Sequence, residues 1–373
     1  MKVVFGGDFF PGFRWEKQIL DNDHDIWSDE VKDFMFDANL KIVNLETPLT
    51  DSISPIKKIG PNLKSNPKTI KSLLSGTVNL VTLANNHIYD YGEEGLKDTL
   101  NHLKKNNINY IGVGYNELNA SESHFLQDDV VFLNYGNNEW GTASSQKGGY
   151  NGYSLIDITT KIKEFSAKDY FICLILHSGH ELYNLPSPQM VKEFRFFVDQ
   201  GADLIITHHS HYHSGYEKYK GGHIFYGLGN LLFDSTSKNK NWFHSFLLKI
   251  EIINKKIKKI DFLPVRNKVN EGKILRLSRK EDSSFYKNLT SLNKTIKCPE
   301  QINKEWKKHV AYMKSSYMVG LKNYIRYYIA LGNRFPILNK WLFRSNDYNR
   351  RLMNYFLCES HSEVIKTFIK DIK

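Results

Sequence analysis

The sequence predicts an α/β fold, a two-sheet α/β sandwich that is followed by a mainly helical C-terminal extension. Apolar strand-like segments alternate with helical segments over the first half of the chain, as in βαβ units. Two hairpin patterns follow them and indicate antiparallel strands. Several strands also end in clusters of Asp, Glu, Asn or His, which is typical of a site at the edge of an α/β sheet.

The predicted elements run β, α, β, α, β, α, β before the later strands. The helix that begins near Tyr91 is predicted from Leu96, Leu100 and Leu103, which lie at helical spacing. The predicted strands are 2–6, 39–45, 78–83, 109–113, 130–135, 171–176 and 204–207. The other predicted helical segments are 63–74, with its helix start near Pro67, 187–200 and 301–331. The predicted hairpins join 216–219 to 224–228 and 244–253 to 257–263.

Length and composition indicate a globular protein. The chain has 373 residues, of which 41% are hydrophobic and 13% aromatic, enough to form a sizeable core. The first strand begins near Lys2 without a preceding basic and apolar leader, and a run of about 18 apolar residues for a membrane span is absent from the sequence. We therefore expect a cytoplasmic location. Three widely spaced cysteines argue against a disulfide framework or a thiolate zinc cluster.

Charge divides the chain unevenly. Residues 1–250 contain 24 Lys+Arg and 29 Asp+Glu, whereas residues 251–373 contain 27 and 11. We place a domain boundary near Lys268, which gives a first domain of residues 1–268 and a basic, aromatic-rich helical extension of residues 269–373. Such an extension could contact an anionic membrane surface at the periphery of the inner membrane, or pack its aromatic side chains on the first domain. Nucleic acid is a less favoured polyanionic partner.

The polar clusters at the strand ends indicate a metal site. The strand at 204–207 is followed by His208, His209 and His211, and imidazole is a common ligand of divalent metals. Similar clusters end at Asp8, Glu46, Asn86-His87 and His177-Ser178-Gly179. One such cluster alone would be weak, but five in succession favour a shared metal site.

In this order, the clusters resemble the bacterial capsule-synthesis family CapA or PGA-cap, a branch of the calcineurin-like metallophosphoesterases. The resemblance covers about residues 1–268. The matching segments are Gly6-Gly7-Asp8, Asn44-Leu45-Glu46, Ala84-Asn85-Asn86-His87 with Asp90 and Gly92, Gly112-Val113-Gly114, His177-Ser178-Gly179-His180-Glu181, 201–211, and Tyr226-Gly227-Leu228-Gly229-Asn230 with Phe233-Asp234.

The resemblance implies a fold, a site and an activity. The fold would be a metallophosphoesterase-like α/β sandwich. One or two divalent ions (Mn, Fe, Co or Zn) would be bound by Asp8, Glu46, Asn86, His177, His209 and His211, with Glu46 bridging. His87 would act as the acid, and Glu181 would orient a ligand or contact the substrate. The reaction would be hydrolysis of a phosphoester by metal-activated water, on an anionic or phosphorylated substrate such as a capsule or glycan precursor in poly-γ-glutamate or polysaccharide capsule synthesis. The sequence leaves a phosphomonoester, a phosphodiester and an acyl or amide bond open as the bond that is cleaved.

Two departures from the family pattern bear on this interpretation. The superfamily's first motif is Asp-x-His, whereas this chain has Phe10 at the histidine position, so one ion is an alternative to two. Ser178 stands where the capsule family usually has Trp. We expect the other histidines of the region, His180, His208, His213 and His223, to support the ligands or face solvent. The alternative function is a non-catalytic assembly factor that retains the metal site structurally.

Overall fold

The computed structural model describes residues 1–21, 25–126, 129–331 and 346–370. The strands are β1 (Lys2–Phe9), β2 (Leu40–Leu45), β3 (Leu80–Thr82), β4 (Asn109–Ile111), β5 (Val113–Gly114), β6 (His124–Leu126), β7 (Val130–Gly136), β8 (Gly149–Tyr150), β9 (Phe171–His177), β10 (Leu204–His208), β11 (Tyr216–Tyr219), β12 (Gly222–Phe225), β13 (Asn230–Leu232), β14 (His244–Ile253), β15 (Lys256–Asn267) and β16 (Ile274–Arg276). The helices are α1 (Arg14–Asp21), α2 (Asp29–Phe36), α3 (Ile70–Ser75), α4 (Gly92–Lys105), α5 (Glu117–Ala120), α6 (Leu155–Ala167), α7 (Pro188–Asp199), α8 (Arg279–Lys297), α9 (Pro299–Leu331), α10 (Asn346–Leu357) and α11 (Glu359–Lys370).

Two large sheets confirm the predicted α/β class. Within the described residues, the first sheet has eight strands in the order β16-β15-β14-β1-β2-β3-β4, with β13 also paired to β1. The second has six strands in the order β11-β12-β10-β9-β7-β6. Strands β1 to β4 run parallel to one another, as do β7, β9, β10 and β12, so the carboxyl ends of each set lie at a common edge. The outer neighbours β14, β6 and β11 pair with these sets in the antiparallel direction.

One core cluster lies between the two sheets. Phe5 and Ile42 of the first sheet belong to the same buried cluster as Phe132, Cys173 and Ile206 of the second. Burial of a side chain such as Ile206 contributes about 1.5–3 kcal/mol relative to leaving it in water. Helices α1 to α4 pack on the other face of the first sheet through a second cluster. Helices α6 and α7 pack on the second sheet through a third cluster, and α8 adds Phe285 and Leu289 to the cluster between the sheets. The result is a sandwich whose two sheets approach each other face to face.

Most predicted helices and strands are present. Where the observed bounds differ from the predicted ones, the cause is local. The strand predicted at 109–113 is interrupted at Gly112, whose φ of 89° places it in the left-handed region. Within the helical segment predicted at 63–74, the helix starts at Pro67 as expected, although its first turn is a 3₁₀ turn that leads into α3. The second strand of the first hairpin was predicted at 224–228 but runs from Gly222 to Phe225, because the turn is short.

The C-terminal part of the described chain is mainly helical. Helix α8 begins with a capping box formed by Ser278 and Glu281, which satisfies free amides of its first turn. Strand β16 lies beyond Lys268 and pairs with β15, so the first sheet includes residues on both sides of the predicted boundary. The boundary itself stays a prediction. Several residues that carried the basic aromatic pattern lie outside the described residues or have undescribed side chains: Lys322, Tyr324, Arg326, Tyr327, Tyr328, Arg334, Lys340, Trp341, Phe343 and Arg344.

Among the described residues, no helix combines the length and the apolar character needed to cross a bilayer. The three cysteines are free, as the sequence predicted.

Candidate metal centre

The candidate site lies where the carboxyl ends of strands from both sheets meet. Asp8 lies near the end of β1, and Glu46 directly follows β2. From the second sheet, His177 is the last residue of β9, and His209 follows β10. These apolar strands bury their side chains on both faces, which fixes where their polar ends project.

Five predicted ligands form two overlapping groups. Glu46, His177 and His209 offer ligand atoms within 4.8 Å of one another, and so do Asp8, Glu46 and His211. Glu46 belongs to both groups. Its Oε1 atom lies 3.6 Å from His177 Nε2 and 3.9 Å from His211 Nε2. This arrangement fits the predicted bridging position of Glu46.

Asn86, the sixth predicted ligand, lies beside the first group. Its Oδ1 atom is 3.0 Å from Nε2 of His177, which is itself 3.1 Å from Nδ1 of His209. The side chains of these three residues are buried. The sequence therefore selected six residues that the fold brings together, while their roles as ligands stay predictions.

The loop after β10 turns two imidazoles toward the site through unusual backbone angles. His209 has a φ of 88° and His211 a φ of 58°, both in the left-handed region. For residues other than glycine such angles are uncommon and cost about 1–2 kcal/mol. Strain of this kind is concentrated at functional sites, where the surrounding structure maintains it.

Three further polar residues contact the predicted ligands. His208 was expected to support the ligands or face solvent, whereas Asn44 and Asn230 were not predicted as site residues. Asn44 Nδ2 lies 2.9 Å from Asp8 Oδ1 and 3.2 Å from His177 Nδ1. Asn230 Oδ1 lies 3.0 Å from Nδ1 of His211. His208, at the end of β10, places Nδ1 3.3 Å from Asp8 Oδ1. Asn44 lies near the end of β2, and Asn230 is the first residue of β13. Both belong to segments that carry the family resemblance, and this position could have identified them from the sequence.

The site contains two buried carboxylates whose pKa values are shifted in opposite directions. Burial and the nearby Asp8 raise the pKa of Glu46 well above its ordinary value. Burial also acts to raise the pKa of Asp8, but contacts with His208 and His211 hold that pKa well below the ordinary value. Burial disfavours the charged form of His211, yet Glu46 and Asp8 together raise its pKa to about 10. Protons therefore compete for the same atoms that a metal would use.

The chemistry of the donor set fits a divalent metal ion. Both carboxylate oxygens of Glu46 are buried and have no hydrogen-bond partner among the described residues. A buried carboxylate without hydrogen-bond partners is strongly unfavourable, so a bound cation would stabilise the charged form of Glu46. Mixed carboxylate and imidazole ligands suit Mn, Fe, Co or Zn. The residues present could thus hold an ion, and its identity is left open by the donor set.

The predicted acid, His87, belongs to a buried charged group. Its Nδ1 atom lies 2.7 Å from Asp90 Oδ2, and Lys58 forms an ion pair with the other oxygen of Asp90. Burial and Lys58 lower the pKa of His87, while Asp90 opposes them. Asp90 was recognised in the sequence only as part of a motif. Lys58 carried no signal, because it lies in a segment without periodic structure.

A cavity of about 240 Å³ adjoins the ligands. It is lined by His87, Asn86 and His209, and also by Glu181, whose side chain is exposed. The structure thus places the predicted catalytic pair His87 and Glu181 at one cavity. Their chemical roles stay predictions.

The remaining histidines and Phe10 have other neighbours. His180 Nε2 lies 3.2 Å from Glu363, and His213 Nε2 lies 3.1 Å from Asn288, so both contact the C-terminal helices. His223 is partly buried in β12. Phe10, at the position of the superfamily's histidine, is fully buried against Phe233 and Phe13 with ring centroids 4.9 Å apart in both pairs. An apolar cluster therefore replaces an imidazole beside the second ligand group.

Comparison with curated proteins finds relatives that share part of this chain. The capsule biosynthesis protein CapA of Bacillus anthracis is 31% identical over 193 residues, which are 46% of this chain and 44% of that protein. The PGA biosynthesis protein CapA of Bacillus subtilis is 30% identical over 243 residues, or 63% of each chain. A probable polyglutamine synthesis accessory protein of Mycobacterium tuberculosis is 24% identical over 209 residues, 52% of this chain and 55% of the relative. The chain thus spans about half to two thirds of the length of these relatives.

Among solved structures, a hypothetical protein from Thermus thermophilus aligns with 72% of this chain and 100% of its own, with a TM-score of 0.43 and 11% identity. The model of the family "Bacterial capsule synthesis protein PGA_cap" matches residues 2–235, which include all the predicted ligands and both predicted catalytic residues. The matched range ends at residue 235, shortly after β13. The chain therefore belongs to the bacterial capsule synthesis protein family PGA_cap.

Proposed function

We propose that this protein is a metal-dependent hydrolase that acts on a phosphoester during capsule or poly-glutamate synthesis. The observation that carries the proposal is the position of Glu46. Its two buried oxygens have no hydrogen-bond partner among the residues described, and it belongs to both candidate ligand groups. A site built only for structural stability would pair such a carboxylate with hydrogen-bond donors.

The residues of the site support a division of tasks. A divalent ion bound by the two ligand groups would lower the pKa of water and stabilise negative charge on phosphoester oxygens. His87, held through Nδ1 by Asp90, would donate a proton to the leaving oxygen as the bond to phosphorus breaks. An anionic substrate in the cavity would raise the pKa of His87 and favour the protonated form that this role requires.

The names of the relatives supply the biological setting of the proposal. They describe capsule biosynthesis, PGA biosynthesis and a polyglutamine synthesis accessory role. A capsule or glycan precursor with a phosphoryl group would combine this setting with the chemistry of the site. The cytoplasmic location expected from the sequence belongs to this proposal.

Turnover of a chromogenic phosphodiester by the purified protein tests the proposal. The wild-type protein with added Mn²⁺ should release the chromophore, and a chelator should abolish the release. A His209→Ala, His211→Ala double variant serves as the inactive reference, and a His102→Ala, His223→Ala variant, altered outside the site, as the active one. Bound metal without turnover of phosphomonoester or phosphodiester substrates would favour the alternative of a non-catalytic assembly factor.

A further inference from the structure

The C-terminal helices reach the cavity beside the metal centre. The wall across from the strand ends is formed by His309, Met313 and Tyr317 of α9 and by His361 and Val364 of α11. These residues lie outside residues 2–235, the part matched by the family model. The cavity is therefore bounded partly by the family domain and partly by the extension.

Helix α11 is anchored next to the ligand-bearing strands by buried polar contacts. The Glu359 carboxylate accepts hydrogen bonds from the backbone N and from Nδ2 of Asn138, at 2.7 and 2.6 Å. Ser360 accepts a hydrogen bond of 2.6 Å from Asn137 and donates one to the carbonyl of Gly179. Asn137 follows β7, and Gly179 lies two residues after His177. The start of α11 is thus fixed at the same sheet edge as the ligands.

Apolar packing extends this attachment. Trp306 of α9 and Val364 and Phe368 of α11 are at most 4% exposed and form one cluster. Tyr183, from the loop after β9, packs against that cluster, and its ring stacks on His309 at 4.1 Å between centroids. Burial of these side chains stabilises the attachment of α9 and α11 to the loop after β9.

The orientation of the His361 ring is set by Tyr317. The Tyr317 hydroxyl contacts Nδ1 of His361 closely. Burial raises the pKa of Tyr317, so its hydroxyl keeps its proton and donates it to Nδ1. In a neutral ring the hydrogen then lies on Nε2, for which the described part of the chain supplies no hydrogen-bond partner. His361 therefore presents an unused donor at a cavity wall.

The cavity favours an anionic guest. Imidazoles of His87, His180, His309 and His361 line it. Of the two acidic residues described in its lining, Glu139 has a pKa raised to about 8 by burial, so this carboxyl is mostly uncharged at neutral pH. Desolvation by the surrounding protein acts to raise the pKa of Glu181, but neighbouring imidazoles lower it below the ordinary value, so among the described lining residues Glu181 is the one charged carboxylate. Hydrogen-bond donors thus outnumber anionic acceptors in the lining, as expected for a site that binds phosphoryl oxygens.

We propose that His361 is a substrate-binding residue, whose Nε2–H donates a hydrogen bond to a phosphoryl oxygen of the substrate. The inference rests on the proposed function, because it assigns a second binding contact to the same cavity. It makes the C-terminal extension part of the substrate site. Differences in this extension between related chains would then change substrate preference without altering the metal ligands.

Binding of inorganic phosphate to the full-length, Mn²⁺-loaded protein tests the proposal by calorimetry, with metal content measured in parallel. His361→Ala should keep its metal and bind phosphate about tenfold more weakly, the usual effect of losing one hydrogen bond to a charged group. His361→Gln should restore affinity to within about threefold, since its amide can donate in place of the ring. His102→Ala, altered on α4 away from the cavity, should match the wild type.

Wild-type phosphate affinity in metal-loaded His361→Ala would overturn the proposal, as would a metal-loaded wild type that does not bind phosphate. A wild type that takes up no metal would instead contradict the metal centre itself. If His361→Ala does not fold, the same comparison is made between His361→Gln and His361→Leu. These two side chains differ in the donor but are similar in size, so equal phosphate affinity would again overturn the proposal.

Discussion

The Nδ1 atom of His87 lies 2.7 Å from Oδ2 of Asp90, and both side chains are buried at the rim of the metal centre. This contact engages Nδ1 and holds the ring in one tautomer, so Nε2 is the nitrogen that Asp90 does not engage. A carboxylate orients a catalytic imidazole in the same way. The pair lies next to Asn86, a predicted ligand, without being part of either ligand group. In the proposed function, proton transfer and metal binding would thus fall to neighbouring but separate side chains.

His87→Asn should therefore retain metal and lose turnover. The expected loss is on the order of 10² to 10⁴ in kcat, the usual contribution of a positioned acid. Steady-state kinetics and elemental analysis on the same sample check this. His102→Asn is the matched control and should keep full activity. A variant that loses its metal, or one that keeps the wild-type rate, would show that His87 has another role.

Asp90→Asn should destabilise the protein, because it leaves the Lys58 ammonium without its partner. The Lys58 side chain is only 3% exposed and that of Asp90 is fully buried. Removing one partner of a buried ion pair typically costs about 3–5 kcal/mol. Urea unfolding measures this loss. The double variant Lys58→Met, Asp90→Asn should recover much of it, and a single variant as stable as the wild type would contradict the prediction.

Acid should weaken the attachment of the C-terminal helices through His309. Burial and the neighbouring His180 lower the pKa of His309 to about 4, whereas an unfolded histidine titrates near 6.5. Between these values the unfolded state binds more protons, so stability falls as pH falls from about 6.5 to about 4. Allowing for solvent at this partly exposed ring, the loss is on the order of 1 kcal/mol.

Comparison of wild type with His309→Gln by thermal unfolding at pH 7 and pH 4.5 isolates this contribution. The wild type should lose more stability than the variant on acidification, since glutamine does not titrate. Equal losses in the two proteins would show that His309 does not cause the pH dependence. His102→Gln is the control, and it should behave as the wild type does at both pH values.

The sequence predicted much of the fold because local patterns determine it. Strand β9, for example, is a continuous apolar run that ends in His177. A few consecutive residues therefore indicate both that the strand is buried and where its polar end lies. Gly112, in contrast, breaks a predicted strand. Its left-handed φ leaves room for the side chain of Asn134, which would lie 2.1 Å from an added Cβ. That requirement comes from a neighbour 22 positions away and is not visible in a local pattern.

The same distinction applies to the site. The six predicted ligands lie at or shortly after the carboxyl ends of strands, so the sheet topology brings them together. Lys58 and His361 were missed because their positions depend on tertiary packing of an irregular loop and of a C-terminal helix. The charge pattern indicated that the extension is distinct in composition. It could not show that Glu359 and Ser360 attach α11 to the loops beside the metal ligands.

Peripheral membrane binding by the basic extension is a separate proposal. Residues 251–373 contain 27 Lys+Arg and 11 Asp+Glu, and Tyr312 of α9 is 80% exposed. Full-length protein should sediment with anionic liposomes at low salt and be released as salt rises, because charges are screened within about 10 Å at 0.1 M. Neutral liposomes are the control. Failure to sediment with anionic liposomes at low salt would leave the extension as a wall of the cavity alone.

The central claim is that Glu46 is shared between metal-binding groups, and metal content tests it most directly. Elemental analysis of wild type should find one or two divalent ions per chain after dialysis. The His209→Ala, His211→Ala variant removes one ligand from each group and should lose most of this metal. The His102→Ala, His223→Ala variant, with two histidines altered outside the site, should retain it. Equal metal content in the wild type and the His209→Ala, His211→Ala variant would contradict the account.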